Sequence, residues 1–261
     1  MGYYNSGRGQ FQVDSAQEQV VGKFLDKYFY NNDLFSNKQR IIDSTTQKGG
    51  TDIIVTSPFL SLTNARIDEK CALSYINCDI PTFSFELSSK KMGEDDKPLV
   101  PFCRKEGWLL NSNLSTEYYM LTWLLAQPVY KEKHFDWLEE SNIISALFVL
   151  ISKTAVIEML AGKGFDSQKL REIDGRIRME SINSGVDSCI RIADSFSDFD
   201  NKVKFSFTTT RAEEPINVLL YRSEMIANSV AFGVISRGLT TVVCRKDNKY
   251  YKKKYEHPLS V

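Results

Sequence analysis

Histidine is almost missing from this chain: there are two, His134 and His257, and neither has a ligand or catalytic spacing. The five cysteines, Cys71, Cys78, Cys103, Cys189 and Cys244, contain no Cys-x-x-Cys pair. A structural zinc site takes four such ligands at close spacing, and nothing in the sequence supplies one. An odd number of thiols argues against a disulfide framework. The stretch from Met1 to Gln12 is polar, with no apolar leader, so the expected setting is a reducing cytoplasm. No window approaches 18 unbroken apolar residues, and the run from Ile143 to Ile151 is too short to cross a bilayer. Neither sign of charge is in excess, with 33 Lys plus Arg against 33 Asp plus Glu. That balance argues against a histone-like binder. It leaves room for an enzyme whose basic surface is local and whose acidic site lowers the sum.

What is present divides the chain in three. Residues 1–13 form a loose start. Ser15-Ala-Gln-Glu18 then opens an amphipathic helix with Val21, Leu25 and Tyr28 as its stripe, ending near Asn31-Asn32. Gln47-Lys-Gly-Gly-Thr-Asp52 is a turn into Ile53-Ile54-Val55, a β-branched strand. Ala65 to Leu73 reads as a second strand, and Phe83-Ser-Phe-Glu-Leu87 alternates as a third. Residues 88–106 read as a charged loop, and Glu117–Ala126 as a buried strand. From Ser141 to about Ile173 the pattern is helical. Beyond Gly175, Arg176–Glu180, Val203–Phe207, Ile216–Tyr221, Thr240–Arg245 and Lys249–Tyr255 read as strands, the last two flanking a turn at Asp247-Asn248. The expected organisation is a core over 14–130, a helical connector over 131–175 and a strand-rich region over 176–261.

The chemistry concentrates in the first part. Asp68 and Lys70 lie two apart on one strand, so they share a face, and Glu69 takes the other. Asp52 and Asp68 are equidistant in sequence from Leu60. A hairpin centred there sets the two carboxylates opposite each other, whereas a tight turn at Thr63-Asn64 shifts the register and separates them. Two facing carboxylates are a hard-oxygen donor set for Mg²⁺, which keeps several waters and open positions. A neighbouring lysine can orient or deprotonate the attacking water, or stabilise the charge that grows on phosphorus. Asp-x-Lys also occurs at Asp95–Lys97, Asp200–Lys202 and Asp247–Lys249, all in expected loops or turns. Context, not the tripeptide, singles out Asp68.

With these residues in this order, the chain resembles the PD-(D/E)xK nuclease superfamily. The pieces are a helix bearing Glu18, then Gly50-Thr-Asp-Ile53, then Ile67-Asp-Glu-Lys70, then the alternating strand ending Glu86-Leu87. The resemblance covers about residues 14–130. The naming proline is absent, since Thr51 precedes Asp52. It implies an α/β fold, a restriction-endonuclease-like core with a mixed central sheet flanked by helices, followed here by a helical and strand-rich C-terminal region. It implies a metal-dependent endonuclease hydrolysing DNA, restriction-like or associated with mobile elements. Asp52 and Asp68 would hold Mg²⁺, with Mn²⁺ as substitute, Lys70 would assist the water, and Glu18 and Glu86 would support them. Many members work as homodimers.

Each residue also has a plainer reading. Ser15-x-x-Glu18 fits a capping box. Asp52 after two glycines fits a turn. Asp68 and Lys70 fit the charged face of an edge strand, and Glu86 fits a solvent position. Gln47 and Lys48 precede the glycine pair and fit either phosphate or a solvated turn. Tyr118, Tyr119 and Trp123 fit the core better than base stacking. Arg245, Lys246, Lys249, Lys252, Lys253 and Lys254, interleaved with Tyr250, Tyr251 and Tyr255, fit a phosphate-tracking hairpin or a solvated tail. The competing functions are a catalytically inactive nuclease-like protein that binds nucleic acid or a protein partner, and an unrelated α/β interaction domain.

Overall fold

The apolar segments pair into two sheets. The computed structural model describes residues 10–42, 49–91, 104–127, 138–184, 203–208, 213–247 and 249–257. The chain is mixed α/β and strand-rich, with few helices among the described residues. It forms two units that interleave along the sequence, where the sequence reading divides it consecutively. One unit comprises residues 1–80, 115–152 and 225–261, and the other 81–114 and 153–224.

The first unit is built on an eight-stranded mixed sheet. Its strands are β1 (Asn37–Arg40), β2 (Ile53–Ser57), β3 (Leu62–Cys71), β6 (Tyr118–Ala126), β7 (Ile143–Ser152), β10 (Ala231–Ser236), β11 (Leu239–Lys246) and β12 (Lys249–Glu256), in that spatial order. Every neighbouring pair is antiparallel except β3 with β6, which is parallel. β7 corrects the expected helix. Ile143–Ser152 is apolar almost throughout because both its faces are buried near the sheet's middle, and such a run carries no period to tell strand from helix.

Helix α1 (Gln10–Leu25) covers one face of this sheet and widens at its end into a π-helical turn, Asp26–Tyr30. The wider turn brings three consecutive residues, Tyr28, Phe29 and Tyr30, into the core. They pack with Phe24, Leu25, Ile53, Ile67, Phe148, Leu150 and Val242 in one cluster. Each fully buried side chain of this size contributes about 2 kcal/mol through removal from water. Asn32 then ends the helix: its amide donates to Phe29 O at 2.6 Å and its Oδ1 accepts from Leu34 N at 2.8 Å. The helix starts upstream of the expected point, so Ser15 and Glu18 lie inside it and the capping-box reading fails. Nothing in Gln10–Asp14 breaks a helix, whereas Gly9 precedes it.

The second unit carries a four-stranded antiparallel sheet in the order β5 (Arg104–Glu106), β4 (Thr82–Lys90), β9 (Ile216–Tyr221), β8 (Lys204–Phe207). Helices α2 (Lys153–Ala161) and α3 (Ser167–Ser184) belong to it, and the short α4 (Arg222–Ala227) carries the chain back to the first unit. Arg176–Glu180 is helical, not a strand. Its period-two alternation is incidental, and the buried residues Leu170, Ile173 and Ile177 recur at the helical spacing. Asp174 ties α3 to the sheet, accepting Ser88 Oγ at 2.5 Å and Arg104 Nη1 at 2.6 Å.

No described helix is long and apolar enough to cross a membrane.

Candidate functional site

The register of the β2–β3 hairpin decides whether Asp52 and Asp68 meet. Ile53 pairs with Ile67, Ile54 with Arg66 and Val55 with Ala65. The ladder ends at Ile53, and Asp52, one residue before it, donates its N–H to Ile67 O at 2.9 Å, which brings it beside Asp68. The turn lies at Pro58–Ser61. Asn64, although in the left-handed region at φ 48°, forms a bulge opposite Thr56 and not the turn. The hairpin is thus the one centred near Leu60.

Asp52 Oδ2 accepts the backbone N–H of Glu69 at 2.7 Å, which fixes its carboxylate against β3. Asp68 is buried, and Lys70 Nζ lies 2.7 Å from its Oδ1. Burial pushes the Asp68 carboxyl up to about 7. Lys70 pulls it down, and Asp52, close enough to interact directly, pushes it up again. Burial works against the charge of Lys70, but Asp68, then Glu18 and Asp52, outweigh it and hold the ammonium above its ordinary range. Glu18, exposed on α1, is therefore near enough to act on Lys70. Lys70 in this state is a fixed cation, suited to stabilising negative charge and not to accepting a proton.

On the opposite side of β3, Glu69 meets a residue that no local pattern singles out. Arg40 on β1 donates to Glu69 through Nη1 at 2.6 Å and Nη2 at 3.2 Å. The same guanidinium reaches Asp26 through Nε at 3.1 Å and Gly22 O at 3.4 Å. Burial pushes the Glu69 carboxyl up to about 7 against the pull of Arg40. Arg40 therefore joins α1, β1 and β3, and it holds the helix bearing Glu18 against the strand bearing Asp68 and Lys70. β1 is Asn-Lys-Gln-Arg, with no apolar pattern, and only the pairing of Asn37–Arg40 with β2 reveals it.

The other expected residues fall elsewhere. Glu86 lies on β4 in the second unit, half-buried, and accepts Ser89 Oγ at 3.2 Å. Phe83, Phe85 and Leu87 are buried beside it. Lys48 and Gln47 lie outside the described residues, as do His134 and two of the spare Asp-x-Lys matches, Asp95–Lys97 and Asp200–Lys202. Tyr119 and Trp123 are core residues. Arg245 and Lys246 end β11, and Lys249, Lys252, Lys253 and Lys254 lie on β12 at an edge of the sheet. Lys246 pairs with Lys249 across the Asp247-Asn248 turn, of which Asn248 lies outside the described residues. His257 Nε2 is bonded to Thr240 Oγ1 at 2.9 Å.

Among the described residues, no group of three or more His, Cys, Asp or Glu side chains is arranged to hold a metal ion. Asp52 and Asp68 form a two-carboxylate oxygen set. Two acids facing each other, one of them buried and pushed up to about 7, carry a charge excess that a proton or a cation relieves. That donor set fits Mg²⁺, which binds through one or two carboxylates and retains water, and it does not fit an all-protein cage.

No family model, no curated protein and no solved structure matches this chain.

Proposed function

We propose that this protein is a Mg²⁺-dependent nuclease of the PD-(D/E)xK type, hydrolysing DNA phosphodiester bonds. The observation that carries the reading is the β2–β3 hairpin, which brings Asp52 beside Asp68, with Lys70 Nζ 2.7 Å from the latter. The mixed sheet beginning with the antiparallel β1–β2–β3 and continuing into the parallel β6 is consistent with a restriction-endonuclease-like core.

Asp52 and Asp68 hold the cation, with Mn²⁺ as a substitute; when bound, it supplies Lewis-acid polarisation of the phosphodiester and a more acidic water. Lys70, kept protonated by its acidic neighbours, places a positive charge where the phosphoryl oxygens gain negative charge. Glu18 biases Lys70 towards that charged form. The Glu69 amide keeps the Asp52 carboxylate in place. Arg40 acts through Glu69 and α1 as a positioning residue.

The test is purified protein with Mg²⁺ or Mn²⁺ on a panel of duplex, branched and single-stranded DNA. Cleavage that Lys70→Ala and Asp68→Ala both abolish, with far-ultraviolet circular dichroism unchanged, supports the reading. A second reading, a nuclease-like protein that binds without cutting, draws on the departure from the family pattern at Thr51, where the naming proline is absent. No cleavage of any substrate, together with no metal-dependent thermal shift, decides for it.

A further inference from the structure

Strand β12 reads Lys249-Tyr-Tyr-Lys-Lys-Lys-Tyr-Glu256 and pairs with β11 alone. Lysines on an edge strand discourage another chain from pairing there. Exposed aromatic rings do the opposite, yet Tyr250 is 61% exposed and Tyr251 43%. Tyr250 is also built into its surroundings. It pairs with Arg245 across the ladder, and the ring of Phe232 on β10 stands edge-on to it at 6.4 Å.

The alternation of the strands sorts these side chains. Tyr250, Lys252 and Lys254 share one face; Tyr251 and Lys253 take the other, where Lys253 lies over the Phe59 ring at 4.8 Å. Register fixes that face relative to the acidic site. Lys70 is aligned with Leu121, Leu121 with Val149, Val149 with Phe232, Phe232 with Val243, and Val243 with Lys252. Lys252 and Lys70 therefore belong to one cross-strand row and one face. Measured along the sheet they are separated by five strand spacings, on the order of 24 Å. Leu121 and Val149, midway, are buried, so the two ends are separate surfaces.

Charge decides what such a surface takes. The chain has equal numbers of acidic and basic residues, and elsewhere in this unit Lys27, Arg40, Lys70 and Arg237 are ion-paired. No carboxylate among the described residues lies within ion-pair distance of Lys252 or Lys254. Lysines that no described carboxylate neutralises, set around an exposed ring, suit a polyanion that also presents flat aromatic faces. A duplex buries its base faces by stacking, whereas a single strand offers them.

We infer that the Tyr250, Lys252 and Lys254 face of β12 anchors single-stranded nucleic acid, with one base on Tyr250 and the flanking phosphates on the lysines. The inference rests on the nuclease reading only for its relation to the cleavage site.

The experiment is fluorescence anisotropy of the full-length protein with fluorescein-labelled dT20 and with a 20-base-pair duplex, in EDTA, so that cutting plays no part. Wild type should bind dT20 more tightly than the duplex. Tyr250→Ala should weaken dT20 binding about ten-fold, in keeping with the value of one stacked base. Lys252→Gln with Lys254→Gln should reduce the slope of log K against log salt by about 1.4, the value for two phosphate contacts on a single strand. Unchanged melting temperatures keep folding out of the comparison. No dT20 binding at 50 mM salt, equal affinity for the duplex, or indifference to Tyr250→Ala would each overturn the inference. Cleavage without this binding defeats the anchor alone, and binding without cleavage defeats the nuclease reading alone.

Discussion

Asp68→Asn separates a buried site carboxyl from an ordinary ion pair, because only the former changes stability between pH 5 and pH 8.5. The folded-state value of Asp68 is raised from 3.8 to about 7. Below about pH 4 the group is protonated in both folded and unfolded chains, and its contribution to stability is full. As pH rises, the unfolded chain gives up the proton first, and the contribution is lost through pH 7. Between pH 5 and pH 7 the native state keeps its proton while the unfolded chain has lost it, and over these two units the cost grows by about 3 kcal/mol, complete by pH 8.5. Asparagine does not titrate. The stability of Asp68→Asn relative to wild type should therefore improve by about 3 kcal/mol between pH 5 and pH 8.5, measured by urea denaturation at each. If a divalent cation occupies the pair, Mg²⁺ at about a hundred times its Kd should return a similar amount to wild type at pH 8.5 and nothing to the variant. An ordinary surface ion pair gives no trend in this window, since its carboxyl is held low and is ionised in both folded and unfolded chains. A relative stability that stays flat or falls with pH refutes the argument that burial and Asp52 dominate over Lys70.

Two further predictions concern the scaffold. Arg40→Met leaves Glu69, 12% exposed at its side chain, without its partner, and should cost about 2–4 kcal/mol, somewhat below a fully buried pair because Arg40 itself is 25% exposed. The double variant Arg40→Met, Glu69→Met should recover much of that loss in denaturant melts, and additivity would refute the coupling. Gly233→Ala should cost about 3 kcal/mol, read as a lower melting temperature. The new Cβ would stand 1.9 Å from Thr241 O and 3.0 Å from Phe148 Cε1, and a neighbouring strand's backbone cannot move away cheaply.

The acidic hairpin was legible in the sequence because two local signals agree. Asp52 and Asp68 are symmetric about Leu60, and the alternation of β3 puts Asp68 and Lys70 on one face. Buried strands were harder: β7 has no polar positions to show a period, and its neighbour β6 differs only in its aromatic and β-branched content. In α3 the alternation of Arg176–Glu180 masked the helical recurrence of Ile173 and Ile177. Arg40 was invisible for another reason. Its role depends on Asp26 and Glu69, which only the pairing of a polar four-residue strand brings together, and no local pattern encodes that meeting. The placement of Glu86 in a different sheet likewise follows from topology. After Cys71 the chain leaves the eight-stranded sheet, and β6, not β4, becomes the neighbour of β3.

That interleaving sets the order in which the protein can be completed as it is made. The sheet pauses after Ser152 and resumes only at Ala231, so β7 emerges from the ribosome with one edge lacking its partner β10. At ordinary rates of translation that edge waits roughly ten seconds, a long time for a strand apolar on both faces. The nascent chain is most vulnerable to self-association in this interval, and the closing β10–β11–β12 meander is the step that ends it.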